Sequence, residues 1–289
     1  MTSDIRLTGM QVRYQNKIFW RTPVAAFFTL VFPLMFLIIF TATFGNDTIE
    51  ELGVTTAQFY APALAAFAAV SATYTNLAVS TAFSRDEGVL KRVRGTPLPP
   101  WMYMAGRVGS AVWLALIATV MMMTVGVFVY GVEVIPGRLL AGTVAFGVGV
   151  AVFAALGLMV AGLVSNGESA TAIANATLLP LAFFSDVFIA PSRDAPEWIS
   201  RVADFFPLKH FVVALSEAFN PTLGGSGFAW NTAGEHSIGV HVAVLLLWGL
   251  GAILIALRYF RWEPRSGGGS GRGSRRARRS EGTDGMERS

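Results

Sequence analysis

Six long apolar runs constrain this sequence more than any other feature. Each run is close to the roughly 20 residues that a helix needs to cross about 30 Å of hydrocarbon. The residues are 53% hydrophobic and only 14% charged, which is too little charge to cover the surface of a soluble domain. We therefore expect an all-α membrane protein with six transmembrane helices, at about residues 24–44, 58–83, 108–130, 139–164, 170–190 and 238–258.

The distribution of lysine and arginine predicts how the chain is oriented in the membrane. Four basic residues precede the first run, five lie in segment 84–107 and nine follow from Arg258 onward, whereas the segments on the opposite side carry four. Cytoplasmic loops carry such an excess of positive charge. Both termini are therefore expected in the cytoplasm, which agrees with an even number of spans.

Three regions are expected along the chain. Residues 1–22 form an interfacial helix, because basic and apolar residues fall on adjoining stripes that suit the surface of a bilayer. The alternative is a charged leader whose arginines only fix the topology. Residues 23–260 form the six-span domain. Residues 261–289, which are rich in glycine, serine and arginine, form a disordered basic cytoplasmic tail.

Two further patterns concern packing and connections. The fourth run is rich in small residues, among them Gly147, Gly149 and Gly157, which let membrane helices approach closely. Packing within the chain and a subunit interface are both open. Pro196 and Pro207 each precede apolar residues at helical spacing, which predicts two short external helices between the fifth and sixth spans.

Several kinds of chemistry are missing from the sequence. None of the three lysines follows a glycine, so the G-x-x-x-x-G-K-[ST] phosphate loop is absent. There is no cysteine, and the three histidines are scattered, so neither a metal site nor a catalytic residue is expected. Only Asp186 and Arg258 are charged within the six runs, whereas ion-coupled carriers usually keep an ionisable group at membrane depth. The chain is therefore not expected to be an enzyme.

The segment from Ser84 to Arg107 is charged and amphipathic, and it lies between the second and third runs. Ser84 followed by Glu87 is a capping-box pattern that predicts a helix start, and Gly95 with the following proline predicts its end. Valine and leucine residues between them form an apolar patch beside basic residues. We expect a short helix that contacts a soluble partner, because a plain turn between two spans would not need residues that start and end a helix.

The sequence from Arg85 to Trp101, followed by Gly106 and Arg107, closely resembles the motif of type-2 ATP-binding-cassette (ABC) export permeases. The likeness is to the branch that includes daunorubicin-resistance-type drug export permeases. Residues 183–189 and 206–210 also resemble that family, and the likeness covers about residues 10–260. The chain departs from the family at Asp186, where the family often has glycine.

The resemblance implies the membrane-spanning permease subunit of an ATP-driven exporter that moves amphipathic small molecules, such as drugs, antibiotics or lipid-like compounds, out of the cytoplasm. Two copies of a separate ATP-binding cassette subunit would bind ATP and Mg²⁺, and this chain would carry no cofactor itself. A second permease subunit, identical or paralogous, would complete the transporter. Such a permease lies in the plasma (inner) membrane of a bacterium, and no nucleic acid partner is implied.

The resemblance also implies roles for particular residues. Segment 84–95 corresponds to the family's cytoplasmic coupling helix, and the following residues are expected to couple to the ATPase: Ser84, Arg85, Glu87, Gly88, Leu90, Lys91, Arg92 and Arg94. The family's export pathway forms at the dimer interface, from the first, second and fifth spans. The following residues are candidates for it, with ordinary packing as the alternative: Phe28, Phe36, Tyr60, Tyr74, Asn76 and Asn175.

Two functions from other classes remain open at the level of the sequence. One is a membrane anchor or sensor that binds an ATPase without moving cargo. The other is a secondary carrier, against which the scarcity of charged residues within the apolar runs argues.

Overall fold

The computed structural model describes residues 2–50, 52–190, 196–217, 219, 238–260 and 262. Within these residues the fold is built almost entirely of helices, with one short antiparallel hairpin that pairs Thr48 with Thr55 and Ile49 with Val54. The expected tail at 261–289 lies outside the described residues apart from position 262. An all-α membrane protein is therefore confirmed.

The helices and strands follow one another in a simple order. They are α1 (Thr2–Trp20), α2 (Pro23–Ala26), a π-helical turn (Phe27–Val31), α3 (Phe32–Phe44), β1 (Thr48–Ile49), β2 (Val54–Thr55), α4 (Thr56–Val70), a second π-helical turn (Ser71–Thr75), α5 (Asn76–Asp86), α6 (Val89–Arg94), α7 (Pro100–Tyr130), a 3₁₀ turn (Pro136–Arg138), α8 (Leu139–Leu163), α9 (Gly167–Phe184), α10 (Glu197–Phe205), α11 (Pro207–Ser216) and α12 (Ile238–Tyr259).

Five helical stretches among the described residues are long and apolar enough to cross a membrane. They are Pro23–Phe44, Thr56–Asp86, Pro100–Tyr130, Pro136–Leu163 and Gly239–Tyr259. The fifth predicted span corresponds to α9, which is shorter and carries the polar residues Glu168 and Asn175. The helices α10 and α11 occupy the region in which the sequence predicts two short ones.

The centre of the bundle is formed by α4 and α11. Every residue of α4 is buried, as is every residue of α11. Many residues of α4 are alanine, and small side chains let the surrounding helices approach it closely. The outer helix α12 is the opposite case, because leucines such as Leu246, Leu250 and Leu254 are more than half exposed and form a surface suited to lipid.

The glycines of α8 form close contacts within the chain. A Cβ atom on Gly157 would lie 2.6 Å from the carbonyl oxygen of Tyr74, and one on Gly149 would overlap the ring of Phe211. Gly147, on the same helix, has nothing within 4 Å of its would-be Cβ. The small residues at 149 and 157 therefore serve packing inside the chain.

The first helix packs along the beginning of α7. The would-be Cβ of Gly106 overlaps Gln11, and that of Gly109 lies 2.8 Å from Val12. The hydroxyl of Ser110 donates a hydrogen bond of 2.7 Å to the side-chain oxygen of Asn16. These contacts fix one face of α1 on the bundle and leave the face with Tyr14 and its neighbours exposed.

Both of the first two membrane-spanning stretches contain a π-helical turn. In the first stretch the turn Phe27–Val31 immediately precedes the Phe32-Pro33 pair, and proline has no N–H to continue the α-helical hydrogen bonding. In the second stretch the turn Ser71–Thr75 joins α4 to α5. Single π turns are frequently found at functional sites, and these two contribute to the same cavity.

Candidate functional site

A cavity of about 710 Å³ lies between α1, the first membrane-spanning stretch, the second π turn with α5, and the beginning of α7 and α9. Its walls are mainly apolar, with aromatic side chains from several helices. Polar side chains in the lining include Asn76, Ser80, Ser110 and Asn175. All of these lie in the half of the bundle that carries α6.

The structure brings three of the six predicted pathway residues together around this cavity. Phe28, Asn76 and Asn175 line it, from the first stretch, α5 and α9 respectively. Phe28 and Asn175 are exposed, so they lie where a molecule from outside the chain could reach them. A pathway role for these three stays a prediction.

The structure places the other three predicted pathway residues away from the cavity. The Phe36 ring lies 4.9 Å from the Phe188 ring, and the Tyr60 ring lies 4.6 Å from the Phe40 ring, measured between centroids. The side chains of Phe36 and Tyr60 therefore contribute to packing in the half of the bundle away from α6.

Tyr74 belongs to the second π turn but is not among the residues that line the cavity. Its hydroxyl shares a hydrogen bond of 2.7 Å with the hydroxyl of Thr177 on α9. Phe36, Tyr60 and Tyr74 thus do not line this cavity, and a pathway role for them also stays a prediction.

Arg107 is a cavity residue to which sequence reasoning gave no binding role. It is only 4% exposed, and its guanidinium donates to three hydroxyls: Nη1 to Ser84 Oγ at 3.0 Å and to Tyr103 Oη at 2.8 Å, and Nη2 to Ser80 Oγ at 2.7 Å. The sequence signal was available, because α7 begins at Pro100 and so places this arginine two turns inside an apolar helix.

The predicted capping box at Ser84 is wrong. Helix α5 continues through this residue to Asp86, and the Ser84 hydroxyl donates to the carbonyl of Ser80 within the helix. The break comes instead at Gly88, which has a φ of +69° and serves as the N-cap of α6. Glycine adopts this left-handed conformation without strain and commonly ends helices. The six-residue helix α6 ends at Arg94, directly before the predicted stop at Gly95.

The predicted coupling residues divide into an outward and an inward group. Glu87, Lys91, Arg92 and Arg94 are exposed, whereas Ser84 and Gly88 are partly buried. Leu90 is fully buried and holds α6 against the bundle.

Arg85 faces inward and is 1% exposed. Its Nη1 donates to the carbonyl of Ala161 at 2.7 Å and its Nη2 to that of Val164 at 3.0 Å, at the C-terminal end of α8. A cation at that end of a helix satisfies carbonyls that have no partner within the helix. The Arg85 side chain is therefore engaged inside this chain, and its role in coupling stays a prediction.

Comparison with known proteins places this arrangement in a family. Residues 7–220 match the family model described as ABC-2 type transporter. This chain belongs to that family. It is also similar to the daunorubicin resistance ABC transporter permease protein DrrB1 of Streptomyces coeruleorubidus, with 29% identity over 212 residues that cover 70% of this chain and 71% of the relative. The resemblance drawn from the motif is thereby confirmed, and the chain is a membrane permease of an ABC exporter.

A charged cluster lies at the end of the permease opposite α6. Lys209 Nζ lies 3.2 Å from Asp204 Oδ1 and 3.7 Å from Asp186 Oδ2, and the lysine side chain is only 7% exposed. Asp186 has a φ of +60°, so it adopts the left-handed conformation that a glycine would take without strain. Aspartate is one of the few other residues that visit this conformation.

Two histidines of the permease complete that cluster. His210 Nδ1 lies 2.8 Å from His241 Nδ1, and His210 Nε2 lies 2.8 Å from the carbonyl oxygen of Asp204. Because a carbonyl only accepts, Nε2 of His210 carries a proton, and in the neutral ring its Nδ1 then accepts from His241. Within the part of the chain that the structure describes, no group of three or more possible metal ligands is found.

Proposed function

We propose that this chain is the transmembrane subunit of an ATP-driven exporter that moves amphipathic small molecules out of the cytoplasm. The observation that carries the proposal is the match to the ABC-2 type transporter family over residues 7–220. The named relative is a drug-resistance permease, and the mainly apolar cavity, which also has polar side chains in its lining, suits molecules that have both characters.

In this proposal a separate ATP-binding subunit, present in two copies, binds ATP and Mg²⁺. It contacts α6 and the end of α5, where Glu87, Lys91, Arg92 and Arg94 are exposed. A second permease subunit, either a copy of this chain or a paralogue, completes the transporter. Closure of the ATP-binding subunits then moves α6, and Leu90 transmits that motion because it is packed into the bundle.

The proposal also includes six spans, with α9 as the fifth, and both termini in the cytoplasm of a bacterium. Residues 1–22 lie along the cytoplasmic surface, and residues 261–289 form the basic cytoplasmic tail. The first membrane-spanning stretch, α5 and α9 supply Phe28, Asn76 and Asn175 to the export pathway, since these residues line one cavity.

The test is reconstitution of the chain in lipid with a candidate ATP-binding subunit, recording ATP hydrolysis and efflux of an amphipathic dye. We expect a stable complex and efflux that requires ATP. Efflux that persists without ATP but with a proton gradient would instead identify a secondary carrier, and a complex without efflux would identify an anchor or sensor.

Glu87→Arg tests the contact surface itself. Glu87 is exposed next to the start of α6, so we expect the charge reversal to abolish efflux while the protein still inserts in the membrane. Glu50→Arg is the matched control, because Glu50 is exposed at the opposite end of the bundle. Efflux by Glu87→Arg at the level of the unaltered chain would exclude the coupling role.

A further inference from the structure

Arg107 combines deep burial with the lack of an opposite charge. Within the described residues no carboxylate lies within 4 Å of its guanidinium. Its partners are the neutral hydroxyls of Ser80, Ser84 and Tyr103. A buried charge is costly unless an opposite charge or a full set of hydrogen bonds compensates it.

The hydrogen bonds of Arg107 do not use all of the N–H donors of its guanidinium. A guanidinium has five N–H donors, and the three hydrogen bonds use two on Nη1 and one on Nη2. The Nε atom has no hydrogen-bond partner among the described residues. Nε and Nη2 lie on one edge of the guanidinium, the edge that can bind a carboxylate or a phosphate through two parallel hydrogen bonds.

The surroundings of Arg107 match an amphipathic ligand. Among the described residues that line the cavity it is the one that carries a charge. The hydroxyl of Thr75 lines the same cavity and is buried without a hydrogen-bond partner among the described residues. The aromatic side chains of Phe28, Phe32 and Phe67 line the cavity as well, so the cavity offers both a charged group and apolar surface to a ligand.

We propose that this cavity binds an amphipathic anion, whose acidic group pairs with Arg107 and whose apolar part contacts the phenylalanines of the first two spans. The ligand class is an alkyl or aryl chain with a single carboxylate or phosphate. That the bound anion is exported as cargo rests on the proposed function. That the cavity binds such an anion rests on the cavity alone. A phospholipid of the bilayer and a soluble amphiphile share this chemistry.

The chain contains no cysteine, so one introduced thiol reports on the cavity without background. Leu179 lines the cavity and is 42% exposed, and Leu179→Cys supplies that thiol. The protein alone, in discs of zwitterionic lipid and without ATP or an ATP-binding subunit, is labelled with a maleimide dye. The labelling rate is measured with an alkyl phosphate, with the alcohol of the same chain length, and with the matching alkylamine.

We expect the alkyl phosphate to protect the thiol at a concentration lower by about tenfold than the alcohol, as the gain of a charge-assisted hydrogen-bonded pair implies. Protection by inorganic phosphate alone is not expected, because it lacks the apolar part. Equal protection by the phosphate, the alcohol and the amine would overturn the proposal while Arg107 is still in place.

Arginine variants in the Leu179→Cys background refine the test. Arg107→Gln is expected to remove the preference for the phosphate, Arg107→Lys to retain part of it, and Arg13→Gln, which removes an exposed charge on α1, to leave it unchanged. Retention of the full preference in a folded Arg107→Gln protein would overturn the pairing.

A final comparison separates the two sources of the anion. If discs containing an anionic phospholipid protect the thiol with no added amphiphile, the ligand is a lipid of the bilayer. Protection only by the added alkyl phosphate identifies a soluble amphiphile. Both results support binding of an amphipathic anion, and a failure of ATP-driven efflux would leave either result intact.

Discussion

At the scale of single residues, two arginines of this protein are buried among the helices and are held there by hydrogen bonds. Arg85 and Arg107 are both buried, yet they serve different ends. Arg85 donates to two carbonyls at the end of α8, while Arg107 donates to hydroxyls only. The sequence predicted a coupling role for Arg85 and no binding role for Arg107, so the hydrogen-bond partners of neither side chain were predicted. The arrangement depends on which helices meet, and that is decided by packing over the whole bundle.

At Asp186 two local effects on the stability of the protein oppose each other. Its left-handed backbone lowers the free energy of unfolding by about 1 kcal/mol relative to glycine. Removing a carboxylate beside a buried ammonium lowers it by about 3 kcal/mol, and by less when a second carboxylate stays beside the ammonium. Asp204 is that remaining carboxylate, at 3.2 Å from Lys209.

We therefore expect Asp186→Gly to lower the thermal unfolding midpoint, because the loss of the ion pair outweighs the relief of backbone strain. The expected net loss is about 1–2 kcal/mol. Adding Lys209→Met should recover most of the midpoint, since the buried ammonium that lost the Asp186 carboxylate is then gone. Thermal unfolding of the purified protein in one detergent measures both, and a rise of the midpoint in Asp186→Gly alone would show that the backbone strain dominates.

At the scale of helices, the sequence predicts positions better than ends. The second and third predicted spans fall inside Thr56–Asp86 and Pro100–Tyr130, and the fourth matches Pro136–Leu163 to within one residue at its C-terminal end, because an apolar run long enough for the bilayer is a strong signal. The break between α5 and α6 was predicted at the wrong residue, because the Ser84 pattern that suggests a capping box also occurs inside a helix. Gly88 was the better signal, because a glycine with positive φ ends a helix decisively.

The π turns had no comparable signal. Nothing in the composition of Ser71–Thr75 marks it as different from its α-helical neighbours. A π turn depends on the hydrogen bonds of its surroundings, and the cavity that the two turns line could therefore be located only in three dimensions.

The small residues of α8 allow a matched test at this scale. In Gly157→Ala the new Cβ would lie 2.6 Å from the backbone oxygen of Tyr74, so α8 must move away from the second π turn. We expect a lower thermal unfolding midpoint and less folded protein, as overpacking costs about 1–3 kcal/mol.

Gly147→Ala is the control, because nothing lies within 4 Å of its would-be Cβ. Its midpoint should stay the same or rise slightly, since alanine has the higher helix propensity. Similar midpoints for the two variants would contradict the close packing at Gly157. A loss of subunit association in Gly147→Ala would instead place this residue at an interface between subunits.

At the scale of the whole molecule, the two ends of the bundle differ in character. One end carries α6 with its exposed basic residues and the cavity with Arg107, and the other carries the hairpin, α10 and the cluster around Lys209. Family membership came from the motif at 85–101 and was confirmed over most of the chain. Orientation in the membrane rests on the count of basic residues and stays a prediction.

Single cysteines test that orientation. Lys91→Cys places a thiol on α6, and Glu50→Cys places one at the opposite end, where both native side chains are exposed. A membrane-impermeant maleimide should label Glu50→Cys in intact cells with a permeable outer layer, and Lys91→Cys only in inverted membrane vesicles. The reverse pattern would place α6 outside the cell and exclude contact with a cytoplasmic ATPase.

The lengths of the helices have a consequence for the membrane itself. The stretches Thr56–Asp86 and Pro100–Tyr130 each have 31 residues, or about 46 Å at 1.5 Å per residue, against about 30 Å of hydrocarbon. The neighbouring stretch Pro23–Phe44 has only 22 residues and matches the hydrocarbon thickness closely. A helix that is too long must tilt or project into the headgroup layer. We therefore expect the two long helices to hold α6 clear of the lipid, and a thicker bilayer to draw that helix back toward the headgroups.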